Sequence, residues 1–167
     1  IFIVTIPQRQ KNAKQQDNSE EIVPQTEETY LATNVLEKER HRPSTNKVVL
    51  IVDDEPEISM FLQNELSRTY KVVCRSNGKD AYDYANKNDI SMVISDIMMP
   101  EMDGITLCKK IKSNINLTHI PVILLTAKHS DEDRNKGLLT GADAYIAKPF
   151  DMTHLRGTIH SLLSNRD

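Results

Sequence analysis

Short apolar runs alternate with helical patterns from residue 47 onward, and this alternation restricts the fold more than any other feature. The runs, predicted as strands, occupy residues 48–52, 70–74, 92–95, 121–125 and 144–146. After each run, apolar residues recur at helical spacing, and the predicted helices begin near Pro56, Gly78, Asp103, Asp131 and Asp151. Such alternation favours a parallel sheet covered on both faces, with right-handed crossovers. We therefore predict an α/β fold with a doubly wound, five-stranded parallel sheet.

The third run ends abruptly in a carboxylate, Asp96, and a loop containing Pro100 and Gly104 follows. This pattern places Asp96 at the carboxyl end of a strand buried on both faces, which is the edge where open α/β sheets bind ligands. A carboxylate at that edge is a candidate metal ligand or nucleophile. Taken alone, an Asp at a strand end is more often a cap for the loop that follows it.

Other runs also end in reactive polar residues, namely Asp53 and Asp54 after the first, Thr126 after the fourth and Lys148 after the fifth. In a flavodoxin-like strand order, 2-1-3-4-5, these ends surround one crevice together with Asp96. Three neighbouring carboxylates repel one another, and a hard divalent cation relieves the repulsion. Oxygen-only ligands suit Mg²⁺. The first strand is not followed by a glycine-rich loop, which argues against pyrophosphate binding at that turn.

Phosphoryl transfer is a chemistry that this set of residues supports. A carboxylate such as Asp96 can attack a phosphoryl group and form an aspartyl phosphate, while Mg²⁺, Lys148 and the Thr126 hydroxyl stabilise the phosphoryl oxygens. Two function classes fit: a phosphorylation switch, or a Mg²⁺-dependent phosphohydrolase with an aspartyl nucleophile. The hydrolase usually has a second Asp two residues after the nucleophile, where this chain has Met98.

Four separated segments resemble the signature of the response-regulator receiver domain, and they occur in the order of that family. They are the segments 52–55 (VDDE), 95–104 (SDIMMPEMDG), 125–127 (LTA) and 145–150 (YIAKPF). The resemblance covers about residues 47–165 and implies the flavodoxin-like (βα)5 fold. It also implies that Asp96 accepts a phosphoryl group from a histidine kinase. A third alternative is a receiver-like module that binds a partner without being phosphorylated. The presence of all three acidic residues, Asp53, Asp54 and Asp96, argues against it.

The resemblance assigns a role to each carboxylate. Asp54, Asp96 and the backbone carbonyl of Met98 would bind Mg²⁺ directly, and Asp53 would act mostly through water. Lys148 would contact the phosphoryl group.

A second group of residues would respond to phosphorylation. Thr126 would move toward the phosphoryl group, and Tyr145 would turn inward in concert with it. The Lys148–Pro149 peptide bond is usually cis in the family. The predicted fourth helix (131–139), the fifth strand and the fifth helix would form the output face, which is a candidate surface for a homodimer.

The amino-terminal part carries a second resemblance. Residues 1–7 are similar to the last strand of a histidine-kinase ATP-binding domain, and residues 8–46 have the polar composition of a flexible linker. This order is that of bacterial hybrid sensor kinases, some of which carry a DNA-binding domain after the receiver. The implied partner is a histidine kinase domain in the same polypeptide or its dimer mate, with control of transcription as the output. Because the first residue is Ile, we expect a piece of a longer chain.

Composition excludes several other classes of protein. The formal net charge of -3 does not favour nucleic-acid binding by this chain. Cys74 and Cys108 lack the spacing of metal ligands and are interpreted as free thiols in a reducing compartment. The sequence has no membrane span and no signal-peptide pattern, so we expect a cytoplasmic domain, with inner-membrane anchoring of the parent chain left open. The fragment is expected to be a phosphoacceptor switch and not a conventional enzyme.

Overall fold

The computed structural model describes residues 43–127 and 140–166. Its centre is one parallel sheet with the strand order β2-β1-β3-β4-β5. The strands are β1 (Val48–Val52), β2 (Lys71–Arg75), β3 (Met92–Asp96), β4 (Val122–Ala127) and β5 (Ala144–Lys148). The predicted flavodoxin-like, doubly wound fold is thereby confirmed.

Four helices lie among the described residues, and they are numbered here in chain order. They are α1 (Pro56–Leu66), α2 (Gly78–Lys87), α3 (Gly104–Ser113) and α4 (Met152–Ser164). Helix α4 therefore corresponds to the predicted fifth helix. The predicted helix at 131–139, the strand at 1–7 and most of the linker at 8–46 lie outside the described residues. No helix within 43–127 and 140–166 has the length and apolar character needed to cross a membrane.

Local signals explain where the helices begin. Pro56 occupies the first turn of α1, where its missing N–H removes no helical hydrogen bond. The side chain of Asp103 accepts a hydrogen bond from Thr106 N at 2.6 Å, and Asp151 accepts one from Thr153 N at 2.9 Å. The helix starts that were predicted near Asp103 and Asp151 are thereby confirmed. A third cap, which the sequence analysis did not predict, is formed at α2 by Asn77.

The sheet separates two apolar clusters because successive side chains of a strand point to opposite faces. In β1, Leu50 and Val52 belong to the cluster covered by α2 and α3, while Val49 and Ile51 face α1 and α4. All four are fully buried. At about 25 cal/mol per Å² of buried apolar area, these two layers are the main source of stability.

The strands differ from their predicted limits mainly at the carboxyl edge. Backbone pairing between β4 and β5 continues as far as Ala127 and Lys148. Thr126 and Lys148 are therefore strand residues, whereas the sequence analysis placed them just after the strands. One large apolar residue of α1 is also exposed: Phe61 keeps 48% of its surface in solvent.

Candidate functional site

The register of the sheet brings the predicted site residues to one edge. Val52 pairs with Ser95, so Asp53 and Asp96 follow on neighbouring strands. Asp96 in turn pairs with Leu125, the residue before Thr126, and Ala127 pairs with Lys148. Residues from four separate motifs therefore meet at the carboxyl edge, as the parallel arrangement predicts.

Lys148 connects the acidic side chains of this edge. Its Nζ lies 3.1 Å from Asp53 Oδ2, 3.3 Å from Asp96 Oδ1 and 3.9 Å from Glu55 Oε1. The Asp53 side chain is fully buried and that of Asp96 is 9% exposed, whereas Glu55 approaches from solvent with 63% of its side chain exposed. The ammonium group therefore balances two buried carboxylates and contacts a third at the surface.

Hydrogen bonds to its backbone and to its carboxylate hold Asp53 in place. Its backbone N–H donates to Arg75 O at 3.1 Å, and its Oδ1 accepts a hydrogen bond from the backbone N–H of Glu55 at 2.9 Å. The Ser59 hydroxyl donates to the Asp53 carbonyl oxygen at 3.2 Å. These bonds link the end of β1 to β2 and α1, and they fix the direction of the carboxylate.

The loop after Asp96 packs tightly on the start of α3. The Gly104 N–H donates to Ile97 O at 2.9 Å, and a Cβ on Gly104 would lie only 2.1 Å from the Asp96 carbonyl oxygen. Only a residue without a side chain fits this approach. Within the same loop Glu101 has a positive φ of 65°, a conformation that costs a non-glycine residue free energy. The position of Asp96 therefore depends on the Asp-Gly pair of the motif.

The pKa values of Asp96 and Lys148 both lie above their ordinary values, but for different physical reasons. Burial raises the pKa of Asp96, and the nearby charge of Asp53 raises it further, while Lys148 lowers it. For Lys148, burial lowers the pKa, but the hydrogen bonds and charges of Asp53 and Asp96 outweigh it and leave the pKa above its ordinary value. Lys148 is thus kept as a cation, whereas ionised Asp96 is disfavoured by its surroundings.

The acidic cluster of Asp53, Glu55 and Asp96 has the chemistry of a site for a hard cation. One carboxylate oxygen from each residue lies within 4.8 Å of the other two, and an all-oxygen donor set suits Mg²⁺. The sequence analysis did not predict Glu55 as a member. Glu55 lies two residues after Asp53, in a tight turn from strand to helix, and this position was the sequence signal that could have indicated its membership.

Two predicted ligands lie at the margin of this cluster. The Asp54 side chain is exposed and is not a member of the acidic group. Met98 directs its side chain to solvent, with 72% of its surface exposed. Asp54 follows β1 and Met98 follows β3 at the carboxyl edge of the sheet, and the group bridged by Lys148 contains Glu55 and not Asp54. The predicted ligand of Met98, its backbone carbonyl oxygen, remains a prediction.

The remaining predicted residues lie on β4 and β5 or directly after them. Thr126 is half-buried and pairs with Ala147. Tyr145 is half-buried, packs against the α2–α3 side of the core and shares a 2.7 Å hydrogen bond with the Thr140 hydroxyl. The Lys148–Pro149 peptide bond is cis, which agrees with the resemblance.

The sheet order and the lysine-bridged acidic cluster define a flavodoxin-like α/β domain whose site lies at the carboxyl edge of the strands. The family model of the response regulator receiver domain matches residues 49–160. The chain belongs to this family, and this region is the receiver domain of a two-component system.

Known proteins similar to the chain include kinases and regulators. It is 40% identical over 146 residues to Histidine kinase P4 of Formosa agariphila, covering 87% of the chain and 10% of that protein. It is 38% identical over 120 residues to Response regulator Rre1 of Synechocystis sp., covering 71% and 52%. The crystal structure of the signal receiver domain of a signal transduction histidine kinase from Syntrophus aciditrophicus matches with a TM-score of 0.70 and 35% identity, covering 72% and 92%. The chain spans about half the length, or less, of these curated relatives.

Proposed function

We propose that this domain accepts a phosphoryl group on Asp96 from the phosphohistidine of a kinase, in a Mg²⁺-dependent reaction. The observation that carries the proposal is the position of the Lys148 ammonium group, 3.3 Å from Asp96 Oδ1 in a cluster of three carboxylates. A buried, strand-end carboxylate with a fixed cation beside it suits a reaction that concentrates negative charge at one point.

The transfer itself needs few groups. An oxygen of the Asp96 carboxylate forms a bond to phosphorus as the bond between phosphorus and the kinase imidazole nitrogen breaks. The imidazole leaves with the electron pair and takes up a proton. No general base is required when the nucleophile is the carboxylate anion. Lys148 stabilises the charge on the phosphoryl oxygens, and the Thr126 hydroxyl can donate a hydrogen bond to them.

Asp53 and Asp96 are the residues that would hold Mg²⁺, and the family resemblance adds Asp54 and the Met98 carbonyl oxygen. When bound, the ion supplies positive charge that neutralises the phosphoryl oxygens. The hydrogen bond from the Glu55 N–H keeps the Asp53 carboxylate oriented toward the cluster. A phosphohydrolase is less well supported because position 98, where an acid–base Asp is expected, is a methionine.

The output is proposed to be a shift between two arrangements of one face of the domain. The added charge at Asp96 would bias Thr126 and Tyr145, and through them the segment 131–139, β5 and α4. This face is the proposed surface for a homodimer or an output domain. Control of transcription, through a DNA-binding domain outside this sequence, is the output that the hybrid-kinase resemblance implies.

The proposed context is a hybrid histidine kinase. Residues 1–7 would end an ATP-binding domain, 8–46 would be a linker and 47–165 the receiver, on the cytoplasmic side of any membrane anchor. The match to Histidine kinase P4 supports this order, since its 146 aligned residues are more than the receiver segment alone can supply. The phosphodonor would be the kinase domain of the same polypeptide or of its dimer mate.

The test is to incubate the 167-residue chain with acetyl phosphate and Mg²⁺ and to measure its intact mass. We expect one added phosphoryl group in the wild type and in Asp83→Asn, a matched change on an exposed face of α2. Asp96→Asn should take up none, and EDTA should prevent uptake. Steady release of phosphate from small phosphate esters, without a stable adduct, would favour the phosphohydrolase instead.

A further inference from the structure

Thr140 is a buried polar residue that the proposed chemistry does not use. Within residues 43–127 and 140–166, the other buried polar or charged residues are Asp53, Ser95 and Asp96, which lie at or beside the acidic cluster. Thr140 is only 3% exposed and precedes β5 at the opposite edge of the sheet. A buried hydroxyl without a hydrogen bond is unfavourable, so the groups that bond to Thr140 indicate its role.

One hydrogen-bond partner of the Thr140 hydroxyl is the phenol of Tyr145. The two oxygens lie 2.7 Å apart, which is the usual length of an O–H···O bond. Thr140 is itself held by further bonds: its Oγ1 accepts a hydrogen bond from Ala142 N at 3.4 Å, and its carbonyl oxygen accepts one from Cys108 Sγ on α3 at 3.7 Å. The phenol is therefore tied to a residue whose position is fixed by the core.

Tyr145 is in turn connected to the site through β5 and β4. It pairs with Leu124, two residues before Thr126, and stands three residues before Lys148 on the same strand. Its ring packs against the core cluster that includes Leu124 and Cys108. The ring therefore contacts the apolar core beside the two strands that carry Thr126 and Lys148.

We propose that Thr140 is a positioning residue, whose hydroxyl holds Tyr145 in the orientation that accompanies unmodified Asp96 and thereby opposes phosphorylation of Asp96. This inference rests on the proposed phosphoacceptor function. By linkage, a contact present only in the unmodified state reduces the extent of modification by the free energy of that contact. A hydrogen bond contributes about 1 kcal/mol, which corresponds to about a fivefold change in the equilibrium.

The experiment compares Thr140→Val, which removes the hydroxyl at nearly constant shape, with Thr140→Ser, which retains it. Both variants are made in the 167-residue chain. At a limiting concentration of acetyl phosphate, we expect the ratio of phosphorylated to unmodified protein to rise about fivefold in Thr140→Val. Thr140→Ser should match the wild type. Equal ratios in all three proteins would overturn the proposal.

A second readout follows the tyrosine directly. In protein with ¹³C-labelled tyrosine rings, Tyr145→Phe identifies the Tyr145 signals. Burial raises the pKa of Tyr145 and the hydrogen bond with Thr140 lowers it, so Thr140→Val should shift these signals and raise the pKa further. Thr140→Ser should restore both to wild-type values.

The two readouts separate failure of this inference from failure of the proposed function. If the wild type takes up no phosphate, the proposed phosphoacceptor function is wrong. The proposal that Thr140 opposes phosphorylation of Asp96 is then wrong as well. If labelling is normal but the Tyr145 signals do not respond to Thr140→Val, Thr140 does not position Tyr145. If the signals move while labelling stays constant, the link between Tyr145 and Asp96 is refuted.

Discussion

Replacing the proposed phosphoacceptor should make the domain more stable. The Asp96 side chain is only 9% exposed, and its carboxylate shares Lys148 with the buried carboxylate of Asp53. Asn has nearly the same shape as Asp but carries no charge. We expect Asp96→Asn to raise the free energy of unfolding at pH 7 in the absence of divalent cations.

The magnitude follows from the distances. At an effective dielectric constant of about 20, attraction between Lys148 and Asp96 at 3.3 Å is about 5 kcal/mol. Repulsion between Asp53 and Asp96, whose oxygens lie within 4.8 Å, is about 3.5 kcal/mol or somewhat more. The exposed Glu55 adds less than about 1 kcal/mol after screening. Little net attraction remains to offset the several kcal/mol needed to bury an ion, so we expect Asp96→Asn to gain about 1–3 kcal/mol.

The pH dependence supplies an independent check on the sign. Burial and Asp53 raise the pKa of Asp96 in the folded state, against the opposing effect of Lys148. The folded state therefore holds the proton of Asp96 more tightly than the unfolded chain does. The stability contributed by Asp96 is lost as the pH rises from the unfolded-state pKa through the folded-state pKa. The advantage of Asp96→Asn should be complete above the folded-state pKa and should vanish below about pH 4, near the unfolded value.

Urea unfolding of wild type, Asp96→Asn and the exposed control Asp83→Asn in EDTA, at a series of pH values, tests this account. Asp83→Asn should remain within about 0.5 kcal/mol of wild type. If Asp96→Asn were less stable than Asp83→Asn at pH 7, the pairing with Lys148 would outweigh burial and repulsion. The reasoning about the acidic cluster would then be refuted.

Four further substitutions, one of them a control away from the site, test the geometry around the site by urea unfolding. Gly104→Ala should lower the free energy of unfolding by about 3 kcal/mol because its Cβ would lie 2.1 Å from the Asp96 carbonyl oxygen. The control Gly157→Ala, where the space is open, should raise it by about 0.5–1 kcal/mol. Equal effects of the two substitutions would contradict the packing argument. Lys148→Met should lower the free energy of unfolding by about 3 kcal/mol without divalent cations because two buried carboxylates lose their counter-charge. Added Mg²⁺ should recover part of this loss. An unchanged free energy of unfolding would show that the acidic cluster does not need the lysine. Glu101→Gly should raise the free energy of unfolding by up to about 1 kcal/mol because glycine adopts the φ of 65° without strain. A decrease would mean that the Glu101 side chain stabilises the fold by more than the positive φ costs.

Periodicity in the sequence was sufficient to predict the fold. The three central strands, β1, β3 and β4, are compact apolar runs that are buried from two sides. The helices begin at local signals such as Pro56, Asp103 and Asp151. These signals are local, and a parallel sheet then follows from alternation alone. The order of the strands came from the family resemblance and the convergence of polar ends, and it was confirmed.

Details that depend on side-chain direction were not predictable in this way. Glu55 joins the acidic cluster and Asp54 does not, because the turn after β1 sends consecutive side chains in different directions. The contact between Thr140 and Tyr145 was also missed, since no pattern in the sequence indicates which buried hydroxyl meets a phenol. Phe61 fits the helical spacing of α1 but lies at the edge of its apolar face, where it remains 48% exposed.

The central claim is that Asp96 itself becomes phosphorylated, and the most direct measurement is to locate the modification. The wild-type chain is treated with acetyl phosphate and Mg²⁺, reduced with borohydride and digested, and the peptides are sequenced by mass spectrometry. Borohydride converts an aspartyl phosphate to homoserine and releases the phosphate. We predict homoserine at position 96 and aspartate at positions 53 and 54. Homoserine at either of those positions, or at none of the three, would contradict the account.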